Sequence, residues 1–176
     1  SRFQQIEEEA MEALSRLSTD EELSRSLYRM GFRSLDEVVE ASEGELASVP
    51  GVSADDVAKL REDAASAMEA LRIERLAAMS EATEAPSERD KLLLVRGVNA
   101  RVADKLEQNG YTSVDVIVAE EDTDRLAIKS GLGAARAQAL KAAVAEFVGA
   151  EWPPVEVKML QSIAAAQAEA ARLEAE

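Results

Sequence analysis

LYRMGFRSLDEVVEASEGELASVPGVSADDVAKLREDAASAM, residues Leu27 to Met68, occurs a second time as LEQNGYTSVDVIVAEEDTDRLAIKSGLGAARAQALKAAVAEF, residues Leu106 to Phe147, once a single residue is inserted near Asp124. Gly31-Phe32 falls on Gly110-Tyr111, Ser34 on Ser113, Asp36 on Asp115, Leu46 on Leu126, Gly51 on Gly131 and Leu60 on Leu140. A unit duplicated with its glycines and apolar spacing intact predicts two similar small domains in tandem.

Outward from the repeat, Phe3, Ile6, Ala10, Ala13, Leu14 and Leu17 recur at helical spacing, with Glu7 to Glu9 on the opposite, wet side. Thr19 with Glu22 reads as a capping box for a helix through Leu23, Leu27 and Met30, which Gly31 is placed to end. Ser34 with Glu37 and Ser42 with Glu45 start two short helices, the second ending near Val49-Pro50. The turn Pro50-Gly51-Val52-Ser53 leads into a long helix from about Ala54 to Ala78, with Val57, Leu60, Ala64, Met68 and Leu71 as its buried stripe.

Residues 81–87 lose periodicity and contain Pro86, so a linker is expected there, between a first domain over 1–80 and a second over 88–152. The second domain repeats the plan, with helices near Ala100 to Asn109, from Ser113, near Asp122 to Lys129, and from Gly133 to about Val148. Trp152-Pro153-Pro154 is expected to break the chain before an extension over 153–176. Its helix, Val155 to Leu173, carries Val155, Met159, Leu160 and Ile163 but few later apolar residues, so its end frays or awaits a partner. The expected fold is all-α: two tandem five-helix domains, a short linker and a C-terminal helix.

Composition agrees with helices, since 47% of the 176 residues are apolar and only 3% aromatic. The absence of cysteine excludes disulfides, thiolate metal sites and thiol nucleophiles, and the absence of histidine removes the commonest general base. A non-enzymatic role without cofactor or metal is the expectation. No signal segment and no apolar run of about 18 residues is present, so a membrane role is not expected. The opening Ser1-Arg2-Phe3 reads as a piece excised from a cytoplasmic protein.

Net charge is −15, which repels a phosphate backbone and argues against tight nucleic-acid binding by the whole chain. The charge is uneven: residues 1–88 hold 9 Lys and Arg against 21 Asp and Glu, and residues 89–176 hold 11 against 14. Asp20, Glu21, Glu22, Asp36, Glu37, Glu40, Glu43 and Glu45 crowd the helices before the first-domain turn. Asp36, Glu37, Glu40, Glu43 and Glu45 are therefore candidates for a surface that docks on a basic partner.

Gly97-Val98-Asn99 and Gly131-Leu132-Gly133 each sit between two helices, in the pattern of a helix-hairpin-helix. The apolar residue tucks into the core, and the amides of the following helix face outward, where a phosphate or carboxylate fits. The alternative is a compact connection with no ligand. In the first domain Asp55 and Asp56 follow the turn and repel phosphate. In the second, Arg125, Lys129, Arg136 and Lys141 lie in a stretch without carboxylates, and Arg89 to Lys105 holds five basic residues against Asp90 and Asp104. Gly97, Val98, Asn99, Lys129, Gly131, Leu132, Gly133 and Arg136 are the candidate anion or partner contacts, against the alternative of solvated surface. Glu120, Glu121, Asp122 and Asp124 lack calcium-loop spacing and read as a solvated loop. Lys129-Ser130 has no orienting group and reads as inert. Trp152 is expected to clamp the end of the second domain, with an interface role as the alternative.

The repeat resembles the C-terminal acidic repeats of the NusA family of bacterial transcription elongation and termination factors. Leu17 to Leu23, Met30 to Val38 and Glu45 to Val52 carry the resemblance in the first copy, and Val95 to Val98 with Asn109 to Val114 in the second. It covers about Glu9 to Ala150. It implies the absence from this chain of the S1 and KH domains that precede such repeats. It also implies as partners the C-terminal domain of the RNA polymerase α subunit, antitermination or elongation factors, and the protein's own KH and S1 domains, whose RNA face acidic repeats cover. Similar pairs occur in the RNA polymerase α subunit and in recombinases. A helix-hairpin-helix nucleic-acid module of a repair or recombination protein is the alternative. The second copy is nearly neutral and the 155–173 extension has no counterpart, so partners are not assigned to one copy or the other.

Overall fold

Side-chain N-caps set the starts of most of the helices. In the computed structural model, which describes residues 1–17 and 20–176, α1 spans Arg2–Ser15 and α2 Glu21–Arg29. Next come α3 (Leu35–Glu40), α4 (Glu43–Ala47) and, after a 3-10 turn at Ala54–Asp56, α5 (Val57–Met79). Then follow α6 (Glu88–Leu92), α7 (Ala100–Gln108), α8 (Val114–Ala119), α9 (Thr123–Ser130), α10 (Ala134–Glu146) and α11 (Trp152–Ala175). Asp20, Ser34 and Ser42 cap α2, α3 and α4. In the second copy Asn99, Ser113 and Asp122 cap α7, α8 and α9. Each side-chain oxygen accepts an N–H that the helix itself leaves unpaired. The duplication therefore reaches upstream of Leu27, because Asp20 stands where Asn99 does. The cap expected from Thr19 lies outside the described residues.

The first unit, Ser1–Leu71, closes on Leu14, Leu17, Leu27, Phe32, Leu35, Val38, Leu46, Val49, Val57, Leu60 and Ala64, with Met68 packed against them. Glycine-terminated α2 turns back through the Phe32 N–H, which donates to the Leu27 carbonyl at 3.0 Å; in the second copy Tyr111 donates to Leu106 at 2.8 Å. The apolar stripe of α1 is only half used. Ala10 and Leu14 are buried, but Phe3 is 85% exposed, because no part of the unit's core reaches the first turns.

The second unit, Arg72–Glu176, has the larger core. Leu92, Val95, Leu106, Val114, Ile117, Leu126, Ala137, Leu140 and Phe147 form it, with Leu76, Trp152 and Met159 at its edge. The linker expected at 81–87 is non-helical, yet the contacts divide earlier, between Leu71 and Arg72 inside α5. The reason is specific. The Arg72 guanidinium donates to the Leu94 carbonyl at 3.2 Å and to both Glu151 carboxylate oxygens at 3.0 and 2.8 Å, while Leu76 is buried beside Met79 and Ala82. A fragment over 72–176 should thus melt cooperatively. One over 85–176 should melt at least about 6 °C lower, since a buried Leu is worth about 1.5–3 kcal/mol and each kcal/mol about 4–8 °C in a domain this size. Equal melting temperatures by circular dichroism would remove Arg72–Met79 from the second unit.

Trp152-Pro153-Pro154 does not break the chain. A π-helical turn, Phe147–Glu151, carries α10 straight into α11, and the prolines lie in the first turn of α11, where the missing N–H groups cost little. Trp152 is buried, stacked on Phe147 with ring centroids 5.6 Å apart, and its indole N–H donates to Glu156 at 2.8 Å. It clamps the core. Beyond Ile163, α11 is largely exposed to its end.

Candidate interaction surfaces

Three turns bear on ligand contact, and they differ at the helix that follows. At Pro50 to Ser53 the Val52 N–H closes on the Val49 carbonyl at 3.0 Å. Both the N–H and the hydroxyl of Ser53 donate to Asp56, at 3.0 and 2.8 Å. These bonds hold the Asp56 carboxyl below its usual range. A depressed folded value adds stability that is fully present above the unfolded carboxylate range, about pH 4, and is lost as pH falls through the lower folded value. In an acid melting series Asp56→Asn should therefore lose less than the parent; parallel curves would show that the clamp does not titrate with folding.

At Gly97 to Asn99 the Val98 N–H donates to the Val95 carbonyl at 3.1 Å, and Asn99 Oδ1 accepts from Val102 at 2.8 Å, occupying one N-terminal amide of α7. At Gly131 to Gly133 no side chain caps α10. Gly131 (φ 76°) and Gly133 (φ 87°) take left-handed backbone that favours glycine, and Leu132 between them is buried. Among the described residues, Asn99 thus covers an outward amide of α7, whereas the amides after Pro50–Ser53 lie beside Asp55 and Asp56, and those of α10 have neither a side-chain cap nor a carboxylate in the first turn.

The basic stretch of the second unit is largely spent on the unit itself. Arg89 pairs with Asp104 and Glu107, both at 2.9 Å, and Arg96 with Glu146 at 3.0 Å. Arg125 lies 3.6 Å from Glu120, and the Lys129 ammonium sits 5.3 Å over the Tyr111 ring. Lys141 donates to the Ile117 and Glu120 carbonyls at 3.0 and 2.6 Å, plugging the end of α8. That is a structural role rather than an anion contact. Lys129 and Arg136 are exposed, which suits a contact and a solvated surface alike, and Lys105 is exposed too. Among the described residues no cluster of acidic side chains could hold a metal. Asp122 instead caps α9, and Glu120 accepts from the Tyr111 hydroxyl at 2.9 Å. Ser130 is buried, and its hydroxyl donates to the Leu126 carbonyl.

The candidate acidic residues fall on α3 and α4. Asp36 and Glu37 occupy the first turn of α3 and Glu43 and Glu45 that of α4, where a helix dipole favours them. Glu37 accepts from the Arg33 N–H at 3.0 Å and Glu45 from the Ser42 hydroxyl at 3.1 Å, so both also serve the caps. Glu40 and Glu43 sit outside those caps, and both are exposed.

Position-by-position pairing of the repeats uncovers a contrast that a reading by stretches misses. Glu22 stands where Arg101 does, Ser26 where Lys105 does, and Asp56 where Arg136 does. All three pairs flank the turns. The same face is acidic in the first unit and basic in the second, and the signal for it lies in the pairing of the two copies. Comparison with known proteins agrees with this geometry. The family described as a SAM-like helix-hairpin-helix tandem matches residues 20–66 and 89–146. No solved structure matches the chain.

Proposed function

The chain belongs to the SAM-like tandem helix-hairpin-helix family, whose two matched blocks span more than half of it, and from that premise we propose a non-enzymatic interaction module of a cytoplasmic transcription factor. The factor is one of elongation, termination or antitermination, as in the NusA family that the repeats resemble. The observation that carries the reading is charge. The first unit holds 7 Lys and Arg against 17 Asp and Glu, and its turn-flanking face presents carboxylates where a phosphate contact needs cations. Such a unit suits basic protein surfaces: the C-terminal domain of the RNA polymerase α subunit, antitermination or elongation factors, or the protein's own KH and S1 domains. No helix among the described residues is long and apolar enough to cross a membrane.

The test uses carboxylates that do not cap helices. In the full-length protein, Glu40→Lys with Glu43→Lys should raise RNA affinity by weakening the cover over the RNA-binding domains, while such exposed changes, one of them in the first turn of α4, alter stability by at most about 1 kcal/mol each. Titration of the chain with the C-terminal domain of the polymerase α subunit should in turn shift NMR signals of one unit. Unchanged RNA affinity together with no binding to that polymerase domain would overturn the reading.

One observation favours a second reading, a nucleic-acid contact of the kind used in repair and recombination proteins. The uncapped α10 N-terminus is flanked in the chain by exposed Lys129 and Arg136, and Lys105 is exposed on α7 of the same unit. On this reading the chain binds duplex DNA, and Lys105→Glu with Arg136→Glu abolishes the binding and flattens its salt dependence.

A further inference from the structure

The first unit holds a groove of about 310 Å³ between α2, the Pro50–Val52 turn and the start of α5. Its floor is apolar, from Leu23, Val52 and Leu60, and its rim is acidic, from Asp20, Glu22 and Asp56. Lys59, the one lysine among the lining residues, is paired at 2.8 Å with Asp63, which also lines the groove, and Glu22 is paired at 3.0 Å with Arg25, which does not line it, so the lining still carries an excess of carboxylates. The groove lies on the face where the second unit carries Arg101, Lys105 and Arg136. It is separate in sequence from the α3 and α4 carboxylates.

We propose that this groove is a docking site for a basic amphipathic segment of a protein partner, one that sets a short row of apolar side chains on the floor and Lys or Arg side chains against the rim. It rests on the protein-interaction reading and adds to it a second surface with its own ligand chemistry. Volume and charge each contribute. A cavity of this size is at the lower end of the about 300–1,000 Å³ typical of ligand sites, enough for a few aliphatic side chains. Apolar burial supplies affinity, and the carboxylate rim supplies orientation and rate of encounter while repelling phosphate. A nucleic acid meets a carboxylate at every one of the three rim positions. An apolar helix without cations leaves the rim uncompensated, whereas a flexible polycation leaves the floor empty, and neither fills the groove as a basic amphipathic segment does.

The probe is a fluorescein-labelled synthetic peptide of Leu and Lys at helical spacing, measured by anisotropy against the whole chain. Its scrambled isomer, of equal charge and composition, is the control. The amphipathic peptide should bind at least tenfold more tightly than the isomer and shift the methyl signals of Leu23, Val52 and Leu60. Glu22→Arg with Ser26→Lys, the residues of the second unit at those positions, should weaken it at least tenfold. Glu40→Lys with Glu43→Lys, a larger change of charge elsewhere on the same unit, should weaken it less than threefold. Equal loss in both variants, equal binding of the scrambled isomer, or displacement of the peptide by duplex DNA would overturn the proposal. Melting curves verify the fold of each variant. Because RNA affinity of the full-length protein reports only on the α3 and α4 surface, failure there and failure here are separate results.

Discussion

Phe147→Ala is expected to lower the melting temperature of the second unit by about 12–40 °C and leave the first unit unchanged. Phe147 is fully buried at the junction of α10 and α11 and stacks on Trp152 with 19° between the ring planes. Truncation of a buried Phe to Ala typically costs about 3–5 kcal/mol, part of it lost transfer energy and part the cavity left behind. The site has little scope to collapse, since the π-helical turn fixes the backbone on one side and Leu140 and Val144 belong to the same core. Calorimetry should resolve one shifted and one unshifted transition. A shift of both together would mean that the two units melt as one.

Arg72→Met is the second large effect, about 2–3 kcal/mol against the second unit. Removal of one member of a buried pair typically costs about 3–5 kcal/mol, because the other charge is left without compensation. Here the figure sits below that range, as the Glu151 side chain retains 18% exposure and Arg96 stands 3.8 Å away. Arg72→Met with Glu151→Leu should recover most of the loss, since a well-packed apolar pair replaces a buried ion pair at little net cost. A double variant no more stable than the single one would show that the guanidinium acts through packing and its bond to the Leu94 carbonyl, not through its partner charge.

Local chemistry makes much of this fold legible. Ser34, Ser42 and Ser113 precede helices at capping distance, and Gly31 and Gly110 punctuate the ends of α2 and α7, so element types follow from residues alone. What the residues do not reveal depends on tertiary context. Periodicity shows that Phe3 and Ile6 share a face with Leu14, but not whether anything covers that face. Proline reads as a breaker, and only the backbone shows Pro153 and Pro154 in a first turn, where they are tolerated. Lys141 reads as a surface cation because the carbonyls it meets, those of Ile117, Val118 and Glu120, lie 21 to 24 residues away. Loss of helical pattern puts a domain edge at 81–87, whereas the cores exchange ownership of α5 at Arg72, within an unbroken helix. Composition points to acidic and basic stretches as candidate surfaces. The sign contrast between Glu22 and Arg101, or Asp56 and Arg136, emerges only when one copy is paired against the other.

The division of α5 also dictates an order of events when the chain is made. The last core residues of the first unit, Ala64 and Met68, precede Arg72, so that unit has all its parts once the middle of α5 has left the ribosome. The remaining turns of α5 then wait, because Arg72 meets Glu151 across 79 residues. Contacts of such long span cost loop entropy before they return any stability, which slows folding. The first unit's core residues are thus all made before Glu151, the partner of Arg72, has been added.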